Sequence, residues 1–105
     1  MGAHWHSAPG LSPVLDIGGE VGALIVYLAA PPATGELHAC PSSAPVVASW
    51  FHTGVHHRHL DDGTTTWVAI YPEVVDGSYH LLDDDGVPMA QVTVPGGQVV
   101  ELDLR

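Results

Sequence analysis

Residues 51–71 read FHTGVHHRHLDDGTTTWVAIY, and this segment gives the clearest prediction of local structure in the chain. Asp62-Gly63 stands between two segments rich in apolar, aromatic and β-branched residues, and an Asp-Gly pair in this setting is typical of a two-residue type I′ hairpin turn. Such a turn sets Asp61 opposite Thr64 and predicts a pair of antiparallel strands. In that register Val55 lies opposite Ile70, on a face that belongs to the core.

The other face of this hairpin is predicted to be rich in imidazole and aromatic rings. Side chains alternate between the two faces of a strand. The outer set therefore comprises Trp50, His52, His56, Arg58, Trp67 and Ala69. Arg58 would lie opposite Trp67, where a cation–π contact is feasible, and His57 would lie on the core side opposite Val68.

The rest of the chain indicates a single all-β domain. Nine prolines and twelve glycines punctuate the 105 residues, and the segments between them are rich in Val, Thr, Tyr and Trp. That spacing is typical of a β-sandwich or barrel. We divide the chain into an N-terminal arm, residues 1–13, and a β-sandwich domain, residues 14–105.

The last third of the chain predicts a strand and then a hairpin. Gly77-Ser78-Tyr79-His80-Leu81 follows a turn. Two segments in which apolar and polar residues alternate flank Pro95-Gly96-Gly97. This order resembles the end of transthyretin-like and carboxypeptidase-regulatory sandwiches. The resemblance implies an antiparallel, transthyretin-like or Ig-like sandwich of seven or eight strands.

Charge and composition limit the classes of partner and the compartment that we expect for this protein. Twelve acidic residues against two basic ones give a formal charge of −10, which repels nucleic acid and anionic membranes, so we expect neither as a partner. The apolar stretch 23–30 is far shorter than the ~20 residues that span a bilayer. The single cysteine, Cys40, suits a reducing compartment, and we expect a cytoplasmic protein.

Eight histidines are the main chemical signal, and the first two form His4-Trp5-His6. In an extended segment His4 and His6 point the same way, as two ligands of one ion must. An imidazole pair favours a transition metal, with zinc first and copper or nickel next.

Four segments together resemble a family of short actinobacterial proteins, many of which carry the genome label "phospholipase". They are His4-Trp5-His6, Leu15–Leu24, Phe51-His52 and Asp76–Tyr79. The family has a Thr-His pair on its central strand, and here Phe51-His52 stands there, so only the histidine carries over. This chain also departs from the family by its histidines at 56, 57 and 59 and by its Leu104-Arg105 end.

The resemblance implies that His52 is the third ligand of the arm histidines. An arm folded across the outer face of the hairpin would bring His4, His6 and His52 to one tetrahedral ion. The fourth position would hold water or a carboxylate such as Glu20.

Other groupings of chemically active residues are weaker. His57 and His59 lie on one face of the strand and His56 lies on the other. A second metal site could therefore not use all three histidines. His38 and Cys40 also share a face, yet buried cysteine usually packs as a small apolar residue. Turn formation accounts for the acidic runs at 61–62 and 83–85.

Three hypotheses about function follow. The first is a small metal-binding β-sandwich protein with one ion, whose role in the cell the sequence does not give. The second is a metal-free interaction or accessory module that forms a homodimer through an exposed edge strand. The third is a metal-dependent hydrolase in line with the family label, although the chain has no Gly-x-Ser-x-Gly motif, the turn that exposes a nucleophilic serine.

Overall fold

The computed structural model describes residues 17–105 and shows an all-β domain. The described residues form seven strands, within the predicted seven or eight, and one short 3₁₀ turn at Val47–Ser49. The strands are β1 Val21–Leu28, β2 Glu36–Pro41, β3 Phe51–His59, β4 Thr65–Val75, β5 Gly77–Leu82, β6 Pro88–Val94 and β7 Val99–Asp103.

The strand order is β6-β5-β2-β3-β4-β1-β7, and β3 belongs to two layers. Its first part, Phe51–Gly54, pairs with β2, and its second part, Val55–His59, pairs with β4. We call β6-β5-β2-β3 the β2 layer and β3-β4-β1-β7 the β4 layer. The core lies between them.

Two predictions about the last third of the chain are wrong. Strand β7 runs parallel to β1, so the sheet is mixed instead of wholly antiparallel. Strands β6 and β7 do not form a hairpin, because they lie at opposite edges of the strand order. The Pro95–Gly97 turn therefore carries the chain from one layer to the other.

This connection is fixed against the start of β1. The amide of Ala23 donates to the carbonyl of Gln98 at 2.9 Å, and the amide of Gly97 donates to that of Val21 at 2.9 Å. At Gly22 the two backbones approach so closely that a Cβ would lie 2.5 Å from the carbonyl oxygen of Pro95. Glycine at position 22 therefore permits the crossing.

The central hairpin forms as predicted, but its register is shifted by one residue. Leu60 faces Thr64 across a three-residue loop, and Gly63 has a φ of 85°. This is the other common hairpin loop, a turn followed by a left-handed residue. The side chain of Asp62 favours it by accepting a hydrogen bond from the amide of Thr64 at 2.9 Å.

The shift changes which residues of β4 lie on the same face as a given residue of β3, as a one-residue slip must. Val55 lies opposite Ala69, and Ile70 does not face it. His57, not Arg58, lies opposite Trp67, so the predicted Arg58–Trp67 contact is wrong. Val68 is buried, as predicted, but it lies on the outer face, where it pairs with His56.

Aromatic residues organise the core between the layers. Tyr71 is 3% exposed, and its hydroxyl donates to the carbonyl oxygen of Leu37 at 2.5 Å. Phe51 packs edge-on against Tyr71 and Tyr79, with ring centroids 5.5 Å and 5.6 Å apart. Such edge-to-face pairs contribute about 0.5–1.5 kcal/mol each beyond the area that they bury. They join β3 to β4 and β5 across the core.

Replacing Gly22 by alanine is expected to lower the free energy of unfolding by about 1–3 kcal/mol, the usual range for overpacking. The added methyl meets backbone carbonyls, which cannot rotate away. Gly54→Ala is the matched control on β3, because its nearest neighbour is the flexible ring of His56 at 3.3 Å. Urea unfolding measures both, and equal stabilities of the two variants would contradict the account.

Stability is also expected to fall as pH rises above about 10. Burial raises the pKa of Tyr71, and burial likewise raises that of Tyr27 to about 12 and that of Tyr79. Above the ordinary tyrosine pKa of ~10 the unfolded chain loses protons that the folded chain keeps, so stability declines with rising pH.

The variant Tyr71→Phe tests this pH dependence. The expected slope for one such tyrosine is about 1.4 kcal/mol per pH unit above pH ~10. Urea midpoints measured between pH 8 and pH 11 should therefore fall less steeply in the variant. Identical slopes in the two proteins would show that Tyr71 does not contribute.

Candidate metal-binding face

His52 lies on the outer face of β3, where its parity places it, and its side chain is 55% exposed. Its partner across the β2–β3 pairing is His38, and the two ring centroids are 5.7 Å apart. Nε2 of His52 lies 3.1 Å from Oε2 of Glu36. Two imidazoles and a carboxylate therefore stand together on one solvent-facing surface.

The antiparallel register of β2 and β3 explains this convergence. Glu36 and His38 are two residues apart on β2 and share a face. His38 pairs with His52 and Glu36 pairs with Gly54, so Glu36 reaches His52 diagonally. Since Gly54 has no side chain, nothing from that position stands between Glu36 and His52.

Trp50 borders this group. Its indole ring lies 5.8 Å from the ring of His38. Cys40, two residues further along β2, has the parity of His38 but is only 2% exposed, and it pairs with His80 of β5. We call the surface formed by Glu36, His38, Trp50 and His52 the His52 face.

The distance between the two rings fits shared coordination of one ion. A metal–nitrogen bond of about 2.1 Å puts ring centres about 5 Å apart at a tetrahedral angle. The centroids of His38 and His52 are 5.7 Å apart. As they stand, residues 17–105 contain no group of three or more His, Cys, Asp or Glu side chains that could hold a metal ion. An ion on this face would need a further ligand.

The other candidate ligands are placed differently. His4 and His6 lie outside the described residues. Glu20 is exposed in the turn before β1, where its carbonyl accepts a hydrogen bond from the amide of Asp76 at 2.7 Å. Within the described part of the chain, Glu20 joins no ligand group with His52.

The outer face of the β4 layer is unexpectedly buried. Ile25 is 0% exposed and Val68 is 2% exposed, although both alternate with residues of the core cluster and point away from it. On the same face Nε of Arg58 is buried with no hydrogen-bond partner among the described residues. No described strand packs over this face.

A cleft of about 530 Å³ opens where β3 begins and β4 ends. Its lining is mostly apolar and comprises Pro41, Phe51, Glu73, Val74, Val75 and Tyr79. The hydroxyl of Tyr79 donates to the carbonyl of Val75. Glu73 is the single carboxylate among the described residues of this lining.

No protein-family model matches the chain, and no curated protein or solved structure matches it either. Among residues 17–105 there is no helix long and apolar enough to cross a membrane.

Sequence reasoning overlooked Glu36 and undervalued His38. The alternation Glu36-x-His38-x-Cys40 shows that these residues share a face, but it does not show which strand pairs with β2. That pairing joins residues 14 positions apart at His38 and His52. It is a hydrogen-bonded pairing between two strands, which the alternation along either strand does not encode.

Proposed function

We propose that this chain is a small metal-binding β-sandwich protein that holds one transition-metal ion on the His52 face. The ion is zinc, with copper or nickel as the alternatives, and its ligands are His52 with His4 and His6 of the arm. The observation that carries the proposal is the cross-strand pair His38–His52 beside the carboxylate of Glu36.

The described side chains support a division of roles on this face. His52 is the most accessible of the three polar groups that meet there, so it is the natural first ligand. Glu36, which already contacts the ring of His52, can orient that ring or take the fourth position that sequence reasoning gave to Glu20. His38 is a further imidazole whose distance from the ring of His52 would allow both rings to bind the same ion.

Support for an arm on the sheet comes from the buried outer face of the β4 layer. Ile25 and Val68 are buried on that face, and the chain enters the described region at Ile17, four residues before β1 begins. At ~3.3 Å per residue the sixteen preceding residues can reach about 50 Å. That exceeds the length of β1, about 26 Å for eight residues.

The role that fits this arrangement is structural, with the ion attaching the arm to the sheet. Burial of apolar arm residues such as Leu11 would supply part of the energy. A catalytic role would require an open coordination position beside a substrate cleft. A cytoplasmic location goes with the proposal, because the lone Cys40 suits a reducing compartment.

Metal analysis of protein purified without a histidine tag tests the proposal. We expect about one equivalent of a transition metal, the content of a single mononuclear site. The His52→Ala variant should lose it, because one imidazole ligand is gone. The matched control is His56→Ala, which removes an exposed imidazole on the same face of the same strand, four residues away.

A metal-free native protein would overturn the proposal. So would a His52→Ala variant that keeps its ion while His56→Ala loses it, since the ion would then be held by His56 and not by His52. Circular dichroism of the variants establishes that they fold.

The second candidate is a metal-free module that dimerises through an edge strand. The observation in its favour is the exposure of Val87 and Met89, 55% and 43%, at the start of the edge strand β6. A stable dimer would have to bury more than ~1,000 Å². Light scattering of the protein after chelation of its metal tests this candidate. A dimer in the metal-free protein favours the module, and a monomer contradicts it.

A further inference from the structure

The tip of the central hairpin carries a second imidazole pair on the face opposite His52. His57 and His59 are two residues apart on β3, and both are exposed. Their ring centroids are 5.3 Å apart. The ring of Trp67, which lies opposite His57 on β4, is 4.7 Å from that of His57.

This spacing suits a shared metal ion. Two imidazoles bound side by side to one ion at about 2.1 Å have ring centres from about 4.6 Å apart, at the right angle of a tetragonal ion such as Cu²⁺, to about 5.3 Å apart at a tetrahedral angle. The pair needs no rearrangement of the backbone, because the i, i+2 spacing of an extended strand already aligns the side chains. The indole beside His57 restricts that ring on one side.

We propose that His57 and His59 form a second metal site, which takes Cu²⁺ or Ni²⁺ with water at the remaining positions. Two imidazole ligands bind these ions more strongly than Zn²⁺, following the general order of divalent-metal affinities. The site is distinct from the His52 face, because residues 57 and 59 have the opposite strand parity. It does not rest on the proposed function.

Trp67 provides the readout for this site. Cu²⁺ bound between His57 and His59 would lie beside the indole and quench its fluorescence. Trp50 and Trp5 accompany the other histidine pairs, so the titration is made in the full-length His52→Ala protein, which lacks the central ligand of the first site. Trp67→Phe in that background identifies which indole reports.

We expect Cu²⁺ to bind His52→Ala protein with quenching that Trp67→Phe removes, while calorimetry still detects binding. Adding His57→Ala or His59→Ala should weaken binding about a hundredfold, because a chelate becomes a single ligand. The matched control, His80→Ala in the same background, should leave the affinity unchanged.

Unchanged affinity in both the His57→Ala and the His59→Ala proteins would overturn the second site. So would copper quenching that stays the same when His57→Ala and His59→Ala are combined in that background. Neither result bears on the first site, because every protein compared carries His52→Ala. Conversely, wild-type protein that is purified without metal would contradict the first site, and the copper titration would still test the second site.

Discussion

The structure depends on the division of β3 between two partners. Phe51–Gly54 is hydrogen-bonded to β2 and Val55–His59 to β4, so one continuous strand joins both layers. Because side chains alternate along it, the same strand fixes what faces the core and what faces outward in each layer. Phe51 packs on the aromatic core, and His52, the next residue, stands on the outer surface beside His38 and Glu36.

Predictions that depended on one strand alone agree with the structure, and those that depended on a pairing register do not. The outward position of His52 needs only the parity of β3. The contact between Arg58 and Trp67 needed a two-residue turn, and the side chain of Asp62 instead favours a loop one residue longer. Asp62-Gly63 is compatible with both loops, so the local sequence cannot choose between them.

The sequence alone did not predict which strands are neighbours when they are separated along the chain. The parallel pairing of β1 with β7 is made possible by Gly22, where the chain passes against the Pro95–Gln98 connection. The meeting of His38 with His52 depends in the same way on β2 docking beside β3. Both are pairings between strands, and alternation along each strand gives only the face, not the neighbour. The candidate site was therefore half predictable: His52 by its parity, and its partners Glu36 and His38 only by the fold.

The central claim is that an ion on the His52 face ties the arm to the sheet. A crystal structure of the untagged protein, with anomalous diffraction measured at the absorption edge of the metal it contains, tests this most directly. We expect a strong anomalous peak within about 2.1 Å of a ring nitrogen of His52, with the imidazoles of His4 and His6 as further ligands. A structure without a peak at His52, or with His4 and His6 bound away from it, would contradict the account.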